Sequence, residues 1–153
     1  MITKQDRLNL AHALVFQAVT DLHDILQPEK THDELISVLI DLVHMGHHME
    51  VTCVNTAHHD DSGLSPAPHL GTHNAGWAID LWPLNSLKHE DYMDASTHNF
   101  RVFLQDIAKC KYYYQTGLVG DGADSAENFT AAGPKAFQDD GGAHVHIGVH
   151  PTK

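Results

Sequence analysis

Histidine and aspartate residues, which commonly bind metals, are concentrated in two distant segments of the 153-residue chain. The first segment, GTHNAGWAID, contains His73 and Asp80, and the second, DDGGAHVHIGV, contains Asp140, His144 and His146. Imidazole nitrogens and carboxylate oxygens bind divalent metals of intermediate softness, zinc above all. The two segments therefore predict a metal site whose parts lie far apart in sequence.

The second segment predicts a strand that carries two histidines on one face. Side chains alternate between the faces of a strand, so His144 and His146 point one way while Val145 and Ile147 point the other. Two imidazoles in an otherwise apolar strand cost free energy unless a metal ion or a polar network satisfies them. Either solution requires other polar groups near this face.

Asp80 stands between Ile79 and Leu81 in an apolar stretch of the first segment. A buried carboxylate needs a partner, and a cation is a suitable one. His73, Asp80 and His146 together offer two neutral nitrogens and one anionic oxygen, a set that suits Zn²⁺. Three protein ligands leave one coordination position open, as in catalytic zinc sites. The alternative is a hydrogen-bonded core network without metal.

The two segments resemble the signature motifs of the superfamily that unites zinc D-Ala-D-Ala peptidases with the hedgehog fold. GTHNAGWAID is similar to the motif SxHxxGxAxD, and AHVHIGV is similar to the closing HxH strand. The resemblance implies that His73, Asp80 and His146 bind zinc, and that His144 lies beside the metal and assists catalysis. It also implies an acidic general base shortly before the last ligand. Asp140, six residues before His146, takes that role.

The position of this acid distinguishes variants within the superfamily. Some of its peptidases place the acid three residues before the last ligand, where this chain has Ala143, so that variant is excluded. Asp139 is an alternative base, but neighbouring side chains of an extended segment face opposite sides. Only one of Asp139 and Asp140 is therefore expected to face the metal. Asp140 would move a proton to the leaving amine, and His144 would stabilise the developing oxyanion.

The resemblance implies a zinc-dependent peptidoglycan peptidase that hydrolyses an amide bond in the cell-wall stem peptide. Gly71 replaces the motif serine, and Trp77 replaces a common basic residue. Carboxypeptidases of this superfamily hold the substrate carboxylate with an arginine in the preceding strand, and EVTCVNTAHHDD has none. We therefore expect an endopeptidase, such as a phage-encoded endolysin, rather than a D-Ala-D-Ala carboxypeptidase. A non-catalytic, hedgehog-like zinc module that binds a partner is a further alternative.

Other histidines have simpler interpretations. His69 lies four residues before His73 and could close the zinc site as a fourth ligand. His44, His47 and His48 lie at the end of a predicted helix, where protonated side chains interact favourably with the helix dipole. These three are expected on the exposed surface.

The composition is that of one folded domain spanning residues 1–153, with 42% hydrophobic and 19% charged residues. The net charge of −11 argues against nucleic acid or an anionic membrane as a partner. We see no signal peptide and no stretch of about 18 apolar residues that would span a membrane. Synthesis in the cytoplasm and delivery to the cell wall by another factor are therefore expected. Cys53 and Cys110 are predicted to be buried, reduced thiols, with a disulfide between them as the alternative.

The order of the predicted elements indicates a single α+β domain, in which a small antiparallel sheet is flanked by helices. The resemblance implies the same hedgehog/DD-peptidase-like fold. Capping boxes at Thr3 with Asp6 and at Thr31 with Glu34 begin two helices. Helices are predicted at 3–26, 31–46 and 91–109, and strands at 50–56, 77–82, 111–118 and 143–149. The helix at 91–109 is expected to face the core with Met93, Phe100, Phe103, Leu104 and Ile107. The glycine-rich segment 120–140 is predicted to be a long loop.

Overall fold

The computed structural model describes residues 1–54, 76–84, 98–119, 123–138 and 144–150. In these ranges the chain forms an α+β fold, as predicted. In chain order its elements are α1 (Lys4–Ala13), β1 (Val15–Phe16), α2 (Val19–Leu26), α3 (Asp33–His44), β2 (His48–Cys53), β3 (Ala78–Leu84), α4 (His98–Lys109), β4 (Tyr113–Val119), α5 (Ala126–Ala132), β5 (Ala136–Gln138) and β6 (His144–Val149).

The strands form one mixed sheet in the order β1-β2-β3-β6-β4-β5. Its four central strands are antiparallel, but β1 runs parallel to β2, and β5 runs parallel to β4. The prediction of an antiparallel sheet is therefore wrong at both edges. Parallel neighbours need a crossover connection. Helices α2 and α3 lie between β1 and β2 in the chain, and α5 lies between β4 and β5.

Apolar side chains on alternate positions of the central strands build the core. Ile79 lies opposite Ile147, and Leu81 lies opposite Val145, and all four are fully buried. Helix α3 contacts β6, and α4 contacts β4. The apolar side of α4 is buried as predicted, at Phe100, Phe103, Leu104 and Ile107. Met93, which was expected to extend this side, lies outside the described residues.

The predicted first helix is correct at both ends and wrong in the middle. Thr3 and Asp6 form the expected capping box: the Asp6 amide donates to Thr3 Oγ1 at 3.1 Å, and the Thr3 amide donates to Asp6 Oδ2 at 2.7 Å. However, the helix is interrupted after Ala13 by β1, whose Val15 and Phe16 pair with strand β2. Pairing with a distant strand has overridden the helical periodicity of this stretch.

The second predicted capping box is wrong. Helix α3 is capped by His32, which makes no side-chain capping hydrogen bond. The Thr31 hydroxyl is instead buried, where it accepts a hydrogen bond from Arg7 Nη1 at 2.7 Å. The helix ends as predicted near Gly46, whose φ of +94° suits a residue without a side chain.

The predicted long loop at 120–140 contains regular structure in its described part, 123–138. Ser125 caps α5 by accepting a hydrogen bond from the Asn128 amide at 3.3 Å. Strand β5 then pairs with β4 at the edge of the sheet. The loop prediction is therefore wrong over these residues. A seven-residue helix and a three-residue strand are too short to show a clear hydrophobic period.

Two further expectations concern burial. Cys53 and Cys110 are buried free thiols, as predicted. His47 was expected on the surface but is only 6% exposed, and its Nε2 lies 2.8 Å from Asp106 Oδ2. That prediction is wrong because α4 supplies a carboxylate that pairs with Nε2 of the ring in a buried position. No helix among the described residues is long and apolar enough to cross a membrane.

Candidate functional site

Asp80 of β3 and His146 of β6 form the centre of the candidate site. They lie directly opposite each other in the antiparallel pair, and His146 Nδ1 is 3.1 Å from Asp80 Oδ1. Asp80 is 3% exposed and His146 is 7% exposed, so both polar groups are almost removed from water. Two residues of the predicted ligand set are therefore in direct contact.

His144 joins the same group from the beginning of β6. Its Nε2 lies 3.5 Å from Asp80 Oδ2, the second oxygen of the same carboxylate, and its side chain is 13% exposed. Val145 and Ile147 are fully buried and belong to the apolar core. The predicted alternation along this strand is confirmed, because both histidines reach one carboxylate while the intervening residues pack into the core.

Gly76 determines how the chain enters β3. Its φ is +73°, and a Cβ atom at this position would lie 2.5 Å from the carbonyl oxygen of Lys30. The Gly76 carbonyl accepts a hydrogen bond from the His32 amide at 3.1 Å. Only glycine combines this backbone conformation with such a close approach. The chain therefore turns tightly at this motif glycine.

Trp77 links the start of β3 to two other parts of the fold. Its ring stacks on His32, with ring centroids 3.5 Å apart and an interplanar angle of 11°. Its carbonyl accepts a hydrogen bond from the Val149 amide at 2.9 Å. These contacts hold the start of β3 against the end of β6. They support the strand register that brings Asp80 opposite His146.

A row of residues across the sheet continues on both sides of this pair. Cys53 of β2 lies opposite Asp80, Gly117 of β4 lies opposite His146, and Phe137 of β5 pairs with Gly117. The Phe137 ring meets the His146 ring edge-on, with centroids 5.7 Å apart and an interplanar angle of 71°. Sequence reasoning missed Phe137, since a strand of three residues has almost no alternation to detect.

The geometry of the central pair fits a shared metal ion. With bonds of about 2.0–2.1 Å, two ligand atoms on one tetrahedral zinc ion are roughly 3.3 Å apart. The observed 3.1 Å between His146 Nδ1 and Asp80 Oδ1 is close to that spacing. The same two atoms can also share a proton as a hydrogen bond, so their contact fits the metal-free network as well.

The remaining predicted site residues fall outside the described part of the chain. These are the ligand His73, the general base Asp140, its alternative Asp139 and the optional fourth ligand His69. Within the described ranges, no group of three or more His, Cys, Asp or Glu side chains is arranged to hold a metal ion. Of the predicted site residues, the described part of the chain brings Asp80, His144 and His146 into contact, through the two oxygens of the Asp80 carboxylate.

Comparisons of this chain with protein-family models, with curated proteins and with solved structures find no match.

Proposed function

We propose that this protein is a zinc-dependent endopeptidase that hydrolyses an amide bond in the stem peptide of bacterial peptidoglycan. The observation that carries the proposal is the buried Asp80 carboxylate, with one oxygen 3.1 Å from His146 and the other 3.5 Å from His144. The motif resemblance to zinc D-Ala-D-Ala peptidases and the hedgehog fold assigns these three residues to one site. Their proximity supports that assignment.

Asp80 and His146 would hold the zinc ion together with His73, and each would contribute one donor atom. A bound zinc ion polarises the carbonyl of the scissile amide as a Lewis acid. His144 is the more exposed of the two histidines, which suits a group that must reach the substrate. Its imidazole would donate a hydrogen bond to the oxygen on which negative charge develops. Asp140 would take a proton from the water that attacks the carbonyl carbon and return it to the leaving amine as the C–N bond breaks.

Cleavage inside the peptide is favoured over removal of a terminal residue. A carboxypeptidase needs a cation to hold the substrate's terminal carboxylate, and arginine serves this role well. Strand β2 contains no arginine. Arg7 is 1% exposed, and its guanidinium donates to Thr31 and Asp33, so it is already engaged elsewhere. The lack of an arginine in β2, the strand before the motif, supports an endopeptidase.

The test combines metal analysis with mass spectrometry of digested muropeptides. Purified protein should carry about one zinc ion per chain and should release fragments cut at one type of amide bond. His146→Gln should abolish both zinc binding and cleavage. His150→Gln, a change four positions further along the same segment, serves as the matched control and should retain both.

Two results would contradict this proposal. Cleavage that persists after complete zinc removal would overturn the metal requirement. Zinc binding that depends on His146, without cleavage of any muropeptide, would overturn the enzymatic assignment and favour a zinc module that binds a partner. Asp140→Ala adds a second check, since an enzyme should lose turnover while it keeps its zinc.

A further inference from the structure

The His146 ring lies between two different groups in the row across the sheet. Asp80 contacts its Nδ1 from β3, and the Phe137 ring packs against it from β5, on the other side of β4. Gly117 occupies the intervening position on β4, where it pairs with both Phe137 and His146. Because glycine has no side chain, the aromatic ring can approach the imidazole across this position.

An imidazole ligand must keep its orientation to present one nitrogen to a metal. Hydrogen bonds from surrounding groups usually fix the ring, and their loss weakens metal binding by about 10–100-fold. The Asp80 carboxylate contacts the His146 ring at one atom, Nδ1. The apolar contact with Phe137 restricts the tilt of the ring, since an edge-on aromatic pair has a preferred geometry.

We propose that Phe137 is a positioning residue for His146. Gly117 has no side chain, and this leaves the space through which the Phe137 ring reaches the imidazole. This inference rests on the proposed zinc site. It assigns a role to β5, which neither motif includes. Phe137 is half-buried, so it contacts His146 without being an essential part of the core.

The experiment compares Phe137→Leu, which removes the ring but keeps an apolar side chain, with Phe137→Tyr, which keeps the ring. Phe129→Leu in α5 is the matched control, because Phe129 is also a half-buried phenylalanine but packs against the apolar core. Zinc affinity is measured by competition with a chelator, and the absorption spectrum of the Co²⁺-substituted protein reports ligand geometry.

Phe137→Leu should weaken zinc binding about 5-fold, which lies within the contribution of an edge-on aromatic pair, and should change the Co²⁺ spectrum. Phe137→Tyr should restore both, and Phe129→Leu should leave zinc affinity within about 2-fold of wild type, a change too small to reflect a lost orienting contact. The inference would be overturned if Phe137→Leu and wild type had the same zinc affinity and the same Co²⁺ spectrum. Equal losses in Phe137→Leu and Phe129→Leu would also overturn it, because they would indicate general destabilisation.

Failure of the zinc site itself is separable from failure of this inference. If wild-type protein binds no zinc, the proposed function fails, and the contact is then tested in the metal-free protein by NMR. Phe137→Leu should shift the ring-proton signals of His146, because an aromatic ring 5.7 Å away alters their shielding. Unchanged His146 signals would overturn the positioning role independently of metal. Gly117→Ala, which places a methyl group in the gap, should shift the same signals.

Discussion

Asp80 and His146 are cross-strand neighbours on β3 and β6, and a carboxylate oxygen of one lies 3.1 Å from an imidazole nitrogen of the other. Both are nearly inaccessible to water. A buried carboxylate is costly unless it is paired. The second oxygen of Asp80 reaches His144, so a single side chain connects both histidines of β6.

Replacing Asp80 by asparagine should remove the anionic ligand while keeping the shape of the side chain. We expect zinc affinity to fall by at least about 100-fold, because a lost ligand costs more than a lost outer contact. Peptidoglycan cleavage should fall with it. Glu50→Gln makes the same chemical change on the neighbouring strand β2, and should leave zinc binding intact. Calorimetric titration with zinc measures both variants, and equal affinities would contradict the site.

Gly76→Ala should destabilise the fold much more than Gly46→Ala. Both glycines have positive φ, at +73° and +94°, and an alanine there costs roughly 1–2 kcal/mol. A Cβ at Gly76 would also lie 2.5 Å from the Lys30 carbonyl oxygen, whereas nothing lies within 4 Å of one at Gly46. Relieving that overlap adds about 1–3 kcal/mol. Urea unfolding should separate the two variants, and equal free energies of unfolding would contradict the close approach.

Arg7→Met should be strongly destabilising, because the buried guanidinium of Arg7 makes several hydrogen bonds. Its guanidinium donates to the Ile25 carbonyl at 2.9 Å, to the hydroxyl and carbonyl of Thr31 at 2.7 and 2.8 Å, and to Asp33 Oδ1 at 2.9 Å. Loss of these buried bonds should cost about 3 kcal/mol.

Asp33→Asn is the control for that variant. The Asp33 side chain is 46% exposed, so its ion pair with Arg7 should contribute at most about 1 kcal/mol. Thermal and urea unfolding of both variants would check the difference. A larger loss in Asp33→Asn than in Arg7→Met would show that the surface ion pair, and not the buried bonds, carries the stabilisation.

Asp106 should make stability depend on pH in the acid range. Burial raises the pKa of this carboxyl, but hydrogen bonds from His47 and Lys109 outweigh it and hold the pKa below its ordinary value of 3.8. A carboxyl whose pKa is lower in the folded state contributes stability above its unfolded pKa, and that contribution is lost as pH falls through the folded pKa. Below about pH 4, the free energy of unfolding of Asp106→Asn should therefore fall less steeply with decreasing pH than that of wild type. Identical acid-unfolding curves for the two proteins would contradict the effect.

The two thiols should be unreactive in the native protein. Burial raises the pKa of Cys110 to about 12, and the nearby charges of Asp41 and Asp106 act in the same direction. The thiolate is the reactive form, so little of it exists at pH 8. Cys53 is 3% exposed and therefore shielded from reagent. A thiol-specific disulfide reagent should label neither cysteine until denaturant exposes both, and rapid labelling of native protein would refute this.

Local signals in the sequence were sufficient for the features that depend on a few neighbouring residues. The Thr3–Asp6 capping box, the helix end at Gly46 and the shared face of His144 and His146 each follow from residues within one turn or one strand. The buried side of α4 follows from its 3.6-residue period. Such features were predicted correctly because the physics that creates them is local.

Pairing between distant segments was decided only in the tertiary structure. Val15 and Phe16 lie in a stretch with helical periodicity, but they pair with β2. Thr31 binds Arg7 instead of capping α3. Strand β5 forms at an edge of the sheet although its sequence shows no strand pattern. The contact of Asp80 with His146 spans 66 positions of sequence and depends on the register of β3 and β6. Backbone hydrogen bonds of a sheet are the same for almost every residue type, so register is chosen by packing of the whole core, and no single segment encodes it.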